Sequence, residues 1–191
     1  GILNGVHVHR VRETERTREL GEFVTWVEHM NTDMLGAGVA LADEYDFDVV
    51  HGHDWLVATA CDHLARRFEV PLVMTIHATE YGRHQGWVDK HPQSHIHGVE
   101  KWITNRADAV IACSAYMREH IADIYALEES AVAVIPNGID PDDLRPMENL
   151  DEFRAAFAAP DEKLVILGGA IGEAAYMTGQ AINVTGGLWL H

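Results

Sequence analysis

A chain of 191 residues, 47% of them hydrophobic, is long enough to bury the core of one domain and to begin a second. Its formal net charge of −16 argues against nucleic-acid or anionic-membrane binding driven by bulk charge. No apolar run approaches the ~18 residues of a membrane span. The two cysteines, Cys61 and Cys113, sit in apolar runs and are expected as buried thiols of a reduced, cytoplasmic protein. The opening Gly1-Ile-Leu-Asn-Gly-Val-His7 lacks the basic and long apolar regions of a signal peptide, and the natural start is expected upstream of it.

In chain order, Val6 to Val11 alternates apolar and polar residues as a partly exposed strand does. Residues 12–19 are almost wholly charged and read as a loop. Leu20 to Tyr45 is helical, with Phe23, Val27, Met30, Met34 and Leu41 near helical spacing; Gly36 and Gly38 are expected to bend or split it. Val49-Val50 ends a short strand. Asp54 is placed to cap the helix that follows to about Phe68, and Trp55 is expected in the core.

Pro71 opens a strand through Ile76. Residues 78–92 form a long connection with Gly82, Gly86 and Pro92, a length that usually marks function or mobility. A helix over 93–106, a strand over Ala109–Ala112 and a helix over Ser114–Tyr125 capped by Ser114 follow. Ala131–Ile135 is a strand ended by Pro136, Leu150–Phe157 a short helix, and Leu164–Leu167 another strand. Strands separated by helices of this length imply right-handed crossovers and a parallel, Rossmann-like α/β sheet, its strands ending near residues 51, 76, 112 and 135.

In such sheets ligands bind outside the carboxyl ends of the strands. That rule singles out His53, Asp54, His77, Ser114 and Asn137, each of which follows an apolar run. His77 is the most informative, because it ends Leu72–Ile76 directly before a glycine-containing loop. His51, His53 and Asp54 also invite a metal site, although thirteen histidines make such pairs common by chance. Asn137-Gly138 equally reads as a turn, and Asp142 and Asp143 as solvated turn residues.

Four segments, in this order and spacing, resemble the N-terminal domain of the family 4 retaining glycosyltransferases, close to the bacterial glycogen synthase and α-glucan glucosyltransferase branch. They are Val49-Val-His-Gly-His-Asp-Trp55, Thr75-Ile-His-Ala-Thr-Glu-Tyr-Gly82, Ala107-Asp-Ala-Val-Ile-Ala-Cys-Ser114 and Val134-Ile-Pro-Asn-Gly-Ile-Asp140. The resemblance covers roughly three quarters of the chain. It implies the N-terminal half of a GT-B architecture, an acceptor-side domain over residues 1–149 and the start of a linker or second domain over 150–169.

The resemblance also implies retaining hexosyl transfer from a nucleotide sugar, such as ADP-glucose or UDP-glucose, to a glucan or other sugar acceptor. No metal or other cofactor is implied. His77 and Asp54 are the catalytic candidates it implies: His77 would sit at the transferred sugar near its reacting carbon, and Asp54 would support the sugar or acceptor site. His53, Thr79, Tyr81, Ser114 and Asn137 are the matching candidates for substrate binding.

The chain departs from the family pattern. The opening strand with its glycine-rich loop and the nucleotide-sugar domain are missing, and no two glutamates stand eight positions apart. The fragment is therefore expected to be inactive alone. The alternatives are a sugar- or glucan-binding module without turnover, and a metal-dependent hydrolase using His51, His53 and Asp54. Residues 170–191 change character: Ala175 to His191 resembles the end of a short-chain dehydrogenase/reductase, which makes a chimeric reading frame the expectation there.

Overall fold

The computed structural model describes residues 1–3, 5–12, 20–138, 149–155 and 159. The chain forms two compact units, Gly1–Pro136 and Asn137–His191. All but residue 12 of the loop expected over residues 12–19, together with the strand Leu164–Leu167 and the tail 170–191, lie outside the described residues.

The first unit starts with a small antiparallel hairpin, β1 (Ile2–Leu3) and β2 (Val6–His7). Gly5 turns it with φ of 83°, a value glycine adopts at no steric cost. The strand expected from Val6 to Val11 is thus only two residues long, and Ile2, Leu3 and Val6 are all exposed. The alternation there marks no buried face.

Four further strands build one parallel sheet: β3 (Val50–His53), β4 (Leu72–Ile76), β5 (Ala109–Ala112) and β6 (Val132–Val134), in that spatial order. All four expected strands are present, ending within two residues of the expected positions. The order simply follows the chain, as crossovers of one hand produce when their helices share a face.

Those helices are α2 (Ala58–Phe68), α4 (Gln93–Arg106) and α5 (Ala115–Tyr125). Strand residues alternate between faces. Leu72, Met74, Ile76, Val110, Ala112 and Val132 join Ala58, Cys61 and Ala65 of α2, Ile103 of α4, and Met117, Ile121 and Tyr125 of α5 in one core. Gly52 belongs to this face because a Cβ there would stand 2.7 Å from the Cys61 sulfur and 2.8 Å from that of Met74. The opposite face carries His51, His53, Val73, Ile111 and Ala133, which are partly or fully exposed.

α1 (Leu20–Leu41) runs unbroken through both glycines. A Cβ at Gly38 would stand 2.8 Å from both methyls of Leu64, so the glycine admits α2 to close contact. Packing offsets its propensity cost of about 1 kcal/mol. The helix stops four residues before Tyr45, where Leu41 C=O accepts the N–H groups of Glu44 and Tyr45. Its inner face is Val24, Val27 and Asn31. Asn31 is 2% exposed: its amide donates to the Val27 and Leu56 carbonyls and its Oδ1 accepts the Ala60 N–H in the first turn of α2. Trp55 packs with Val24, Val27 and Ile96.

The long connection after β4 is shorter than it reads. It contains one helical turn, α3 (Glu80–Arg83), whose N-cap Thr79 accepts the Gly82 N–H. Across the helix layer Asp62, 4% exposed, pairs with Arg66 and with Arg106 of α4. In the second unit α6 (Leu150–Ala155) stands where a helix was expected. Among the described residues no helix is long and apolar enough to cross a membrane.

Candidate functional site at the strand ends

β3 and β4 end side by side, with His53 opposite Thr75 in the register. The chain then turns sharply at Asp54, whose φ of 58° and ψ of 179° fall in a region that is essentially glycine-only. Such strain persists only where the surroundings over-determine it, and it clusters at functional sites. Two hydrogen bonds fix it here. Asp54 N–H donates to the Thr75 carbonyl at 2.9 Å, and Asp54 Oδ1 accepts the His77 N–H at 2.8 Å. The expected role of Asp54 as a helix cap is therefore corrected. Its side chain makes no cap bond to the short 3-10 helix Trp55–Val57 and reaches across to the next strand end instead.

His77 is half-buried and engaged at three atoms. Besides its backbone N–H, ring Nε2 lies 2.9 Å from His53 Nδ1, and ring Nδ1 lies 3.3 Å from the Cys113 sulfur. The His51, His53 and His77 rings stack in sequence, with centroids 4.6 and 5.2 Å apart. His51 Nε2 meets Thr75 Oγ1 at 2.8 Å.

Burial, and secondly the Asp54 carboxylate, push the Cys113 thiol above its usual range. The contacts themselves join Cys113 Sγ to His77 Nδ1 and His77 Nε2 to His53 Nδ1, and the ring tautomers set which partner donates in each. Burial, followed by His51 and His77, holds His53 below the usual histidine range, against the opposing pull of Asp54. Cys113 is 7% exposed and Cys61 8%, so both are the buried thiols expected; burial raises Cys61 to about 11. A cysteine in an apolar strand gave no sign that it would meet His77.

The segment after His77 is pinned by successive acceptors. Thr79, 2% exposed, accepts the Gly82 N–H at 3.0 Å and meets His120 Nε2 of α5 at 2.8 Å. Burial lowers His120 below the usual histidine range. Glu80 N–H donates to both carboxylate oxygens of Glu100 of α4, at 3.0 and 2.9 Å. Tyr125 O–H of α5 donates to the same carboxylate at 2.6 Å. Glu100 is 1% exposed, and burial raises it to about 7, against the opposing effects of the Tyr125 and Glu80 hydrogen bonds. Sequence reading missed Glu100, because a lone acid on a helix reads as solvated.

The structure therefore gathers His53, Asp54 and His77 at one sheet edge, with Thr79 and Tyr81 on the turn that follows. Tyr81 is 37% exposed. Ser114 lies at the end of the neighbouring strand, where its Oγ accepts the Met117 N–H at 3.1 Å as the expected N-cap of α5. Asn137 belongs to the second unit. Among the described residues no group of three His, Cys, Asp or Glu side chains is arranged to hold a metal ion.

A parallel α/β sheet with polar side chains massed at its carboxyl edge is the ligand-binding architecture of Rossmann-like proteins. The chain belongs to glycosyltransferase family 4, whose model matches residues 6–143. Two glycogen synthases of Mycobacterium tuberculosis, from strains CDC 1551 and H37Rv, are each 40% identical over 145 residues, covering 73% of this chain and 35% of theirs. An uncharacterized glycosyltransferase of Methanocaldococcus jannaschii is 32% identical over 181 residues, 93% of this chain and 44% of its own. A D-inositol 3-phosphate glycosyltransferase of Nocardiopsis dassonvillei is 30% identical over 150 residues, 75% and 35% of the two chains. The chain thus spans under half the length of these relatives. The reductase resemblance of the tail finds no support in these comparisons.

Proposed function

We propose that this chain is the acceptor-side domain of a retaining hexosyltransferase that extends a glucan from a nucleotide sugar such as ADP-glucose or UDP-glucose. The carrying observation is His77. It stands at the carboxyl end of β4 with its backbone held by Asp54 and its ring oriented by His53 and Cys113. The 40% identity to glycogen synthases favours a glucan over an inositol phosphate as acceptor.

Retaining transfer passes through an oxocarbenium-like state, and fixed dipoles at the cleft lower its energy without reorganising during reaction. His77 supplies such a dipole. His53 lies on the exposed strand β3 and occupies Nε2 of His77, so a sugar hydroxyl entering there exchanges one hydrogen bond for another. Ground-state affinity at this position is then modest, while orientation is strict.

Electrophoresis through gels containing glycogen tests the acceptor side. The chain should be retarded, and His77→Ala should migrate about as it does without glycogen, a loss of about tenfold or more in affinity. Equal retardation of both proteins would reject the site. Added D-inositol 3-phosphate should leave the retardation unchanged; competition by it would move the assignment to the other branch. Incubation of this chain with either nucleotide glucose and glycogen should show no transfer. Transfer dependent on His77 would reject the restriction to an acceptor-side role.

A further inference from the structure

The turn from His77 to Gly82 presents three backbone N–H groups that no sheet or helix ladder uses: those of His77, Glu80 and Gly82. Each meets a side-chain oxygen from a different place, Asp54 after β3, Glu100 on α4 and Thr79 within the turn. Two of these acceptors sit within the segment that reads as the site. Glu100 does not. It is twenty residues from Glu80 in sequence and is buried in the helix layer.

A buried carboxylate without a cation directly on it is costly unless hydrogen bonds satisfy it, and here the Glu80 N–H and the Tyr125 O–H do so. For core packing alone, an apolar side chain on α4 would serve. We propose that Glu100 is a positioning residue: from α4 it clasps the Glu80 N–H and so fixes the turn carrying His77, Thr79 and Tyr81 to the helix layer. Tyr125 orients the clasp from α5 by donating to Oε2. The groups that act on it are Tyr125 on α5 and Glu80 and Arg83 on α3; His84, the residue that ends α3, and His97 of α4 face Glu80. Arg83 and His84 pair with Glu80 at 3.6 and 3.1 Å, and Glu100 keeps the backbone N–H. The importance of this clasp for sugar binding rests on the glucan reading above; the clasp itself does not.

The test is nuclear magnetic resonance of the labelled chain, wild type against Glu100→Gln, Glu100→Ala and Tyr125→Phe. In the wild type the Glu80 amide signal should titrate with the Glu100 proton, and Glu100→Gln should abolish that titration. Tyr125→Phe removes a bond that favours the carboxylate and should move the midpoint upward. In Glu100→Ala, amide exchange at Glu80 and Gly82 should quicken by about tenfold or more while Met74 and Val110 keep their protection. The His77 and His120 ring signals should shift, and Glu100→Gln should restore them in large part.

A Glu80 amide indifferent to Glu100→Gln overturns the proposal. So does a loss of protection in Glu100→Ala spread evenly over the sheet, which is the signature of a core residue. If Glu100→Ala does not fold, the Gln and Phe variants decide alone. Glycogen retardation on the same variants separates the two ideas: a wild type that is not retarded sinks the glucan reading, while the exchange data still judge the clasp.

Discussion

Asp54→Ala should destabilise the chain by about 2–3 kcal/mol, and Asp54→Gly by markedly less. The alanine removes the carboxylate that accepts the His77 N–H at 2.8 Å and leaves that part-buried donor unpaired. It also keeps a Cβ at φ 58° and ψ 179°, so none of the strain is relieved. Glycine loses the same hydrogen bond but removes the strain, which should return about 1–3 kcal/mol. Asp54→Asn keeps an acceptor oxygen and should lie closest to the wild type in stability. Urea denaturation of the four proteins measures the order directly. Alanine and glycine variants of equal stability would show that the turn at Asp54 is unstrained. In glycogen gels all three variants should lose retardation, the stable asparagine variant included, because the charge beside His77 is gone.

Raising the pH through the range of about 4.5 to about 7 should cost about 3 kcal/mol through Glu100 alone. The folded state raises this carboxyl from 4.5 to about 7. It therefore binds a proton more tightly than the unfolded chain does, and its contribution is fully present below 4.5 and lost as the pH rises through 7. His53, His97 and His120 act oppositely, since burial lowers all three and acid must charge them on folding's reversal. Only the difference between wild type and Glu100→Gln isolates the carboxyl. That difference should grow in favour of the glutamine variant between about pH 5 and about pH 8. Parallel stability curves would mean that Glu100 is ionised throughout, which its burial at 1% exposure argues against.

The strands were legible because their signal is local. Leu72–Ile76 and Ala109–Ala112 are short apolar runs bounded by turn residues, and burial against helices on one face demands that composition. The candidate site was legible to the extent that it follows the strand ends, and His53, Asp54 and His77 do lie together there. Features set by distant partners were not legible. Gly38 reads as a helix breaker until Leu64 is seen against it. Asp54 reads as a cap until its backbone angles and its bond to His77 are known. Glu100, Asn31 and Cys113 carry polar groups whose partners lie 20 to 36 residues away, and no spacing rule in one sequence reports such pairs.

The central claim is that the carboxyl edge carrying His53, Asp54 and His77 receives a glucan. Titrating a maltooligosaccharide into the labelled chain while following its histidine ring signals tests it most directly. Saturable shifts are expected at His53, His77 and His120, with His29 on α1 and His63 on α2 unmoved. Saturable shifts confined to His29 or His63, or no shift at His77 at any concentration, would contradict it.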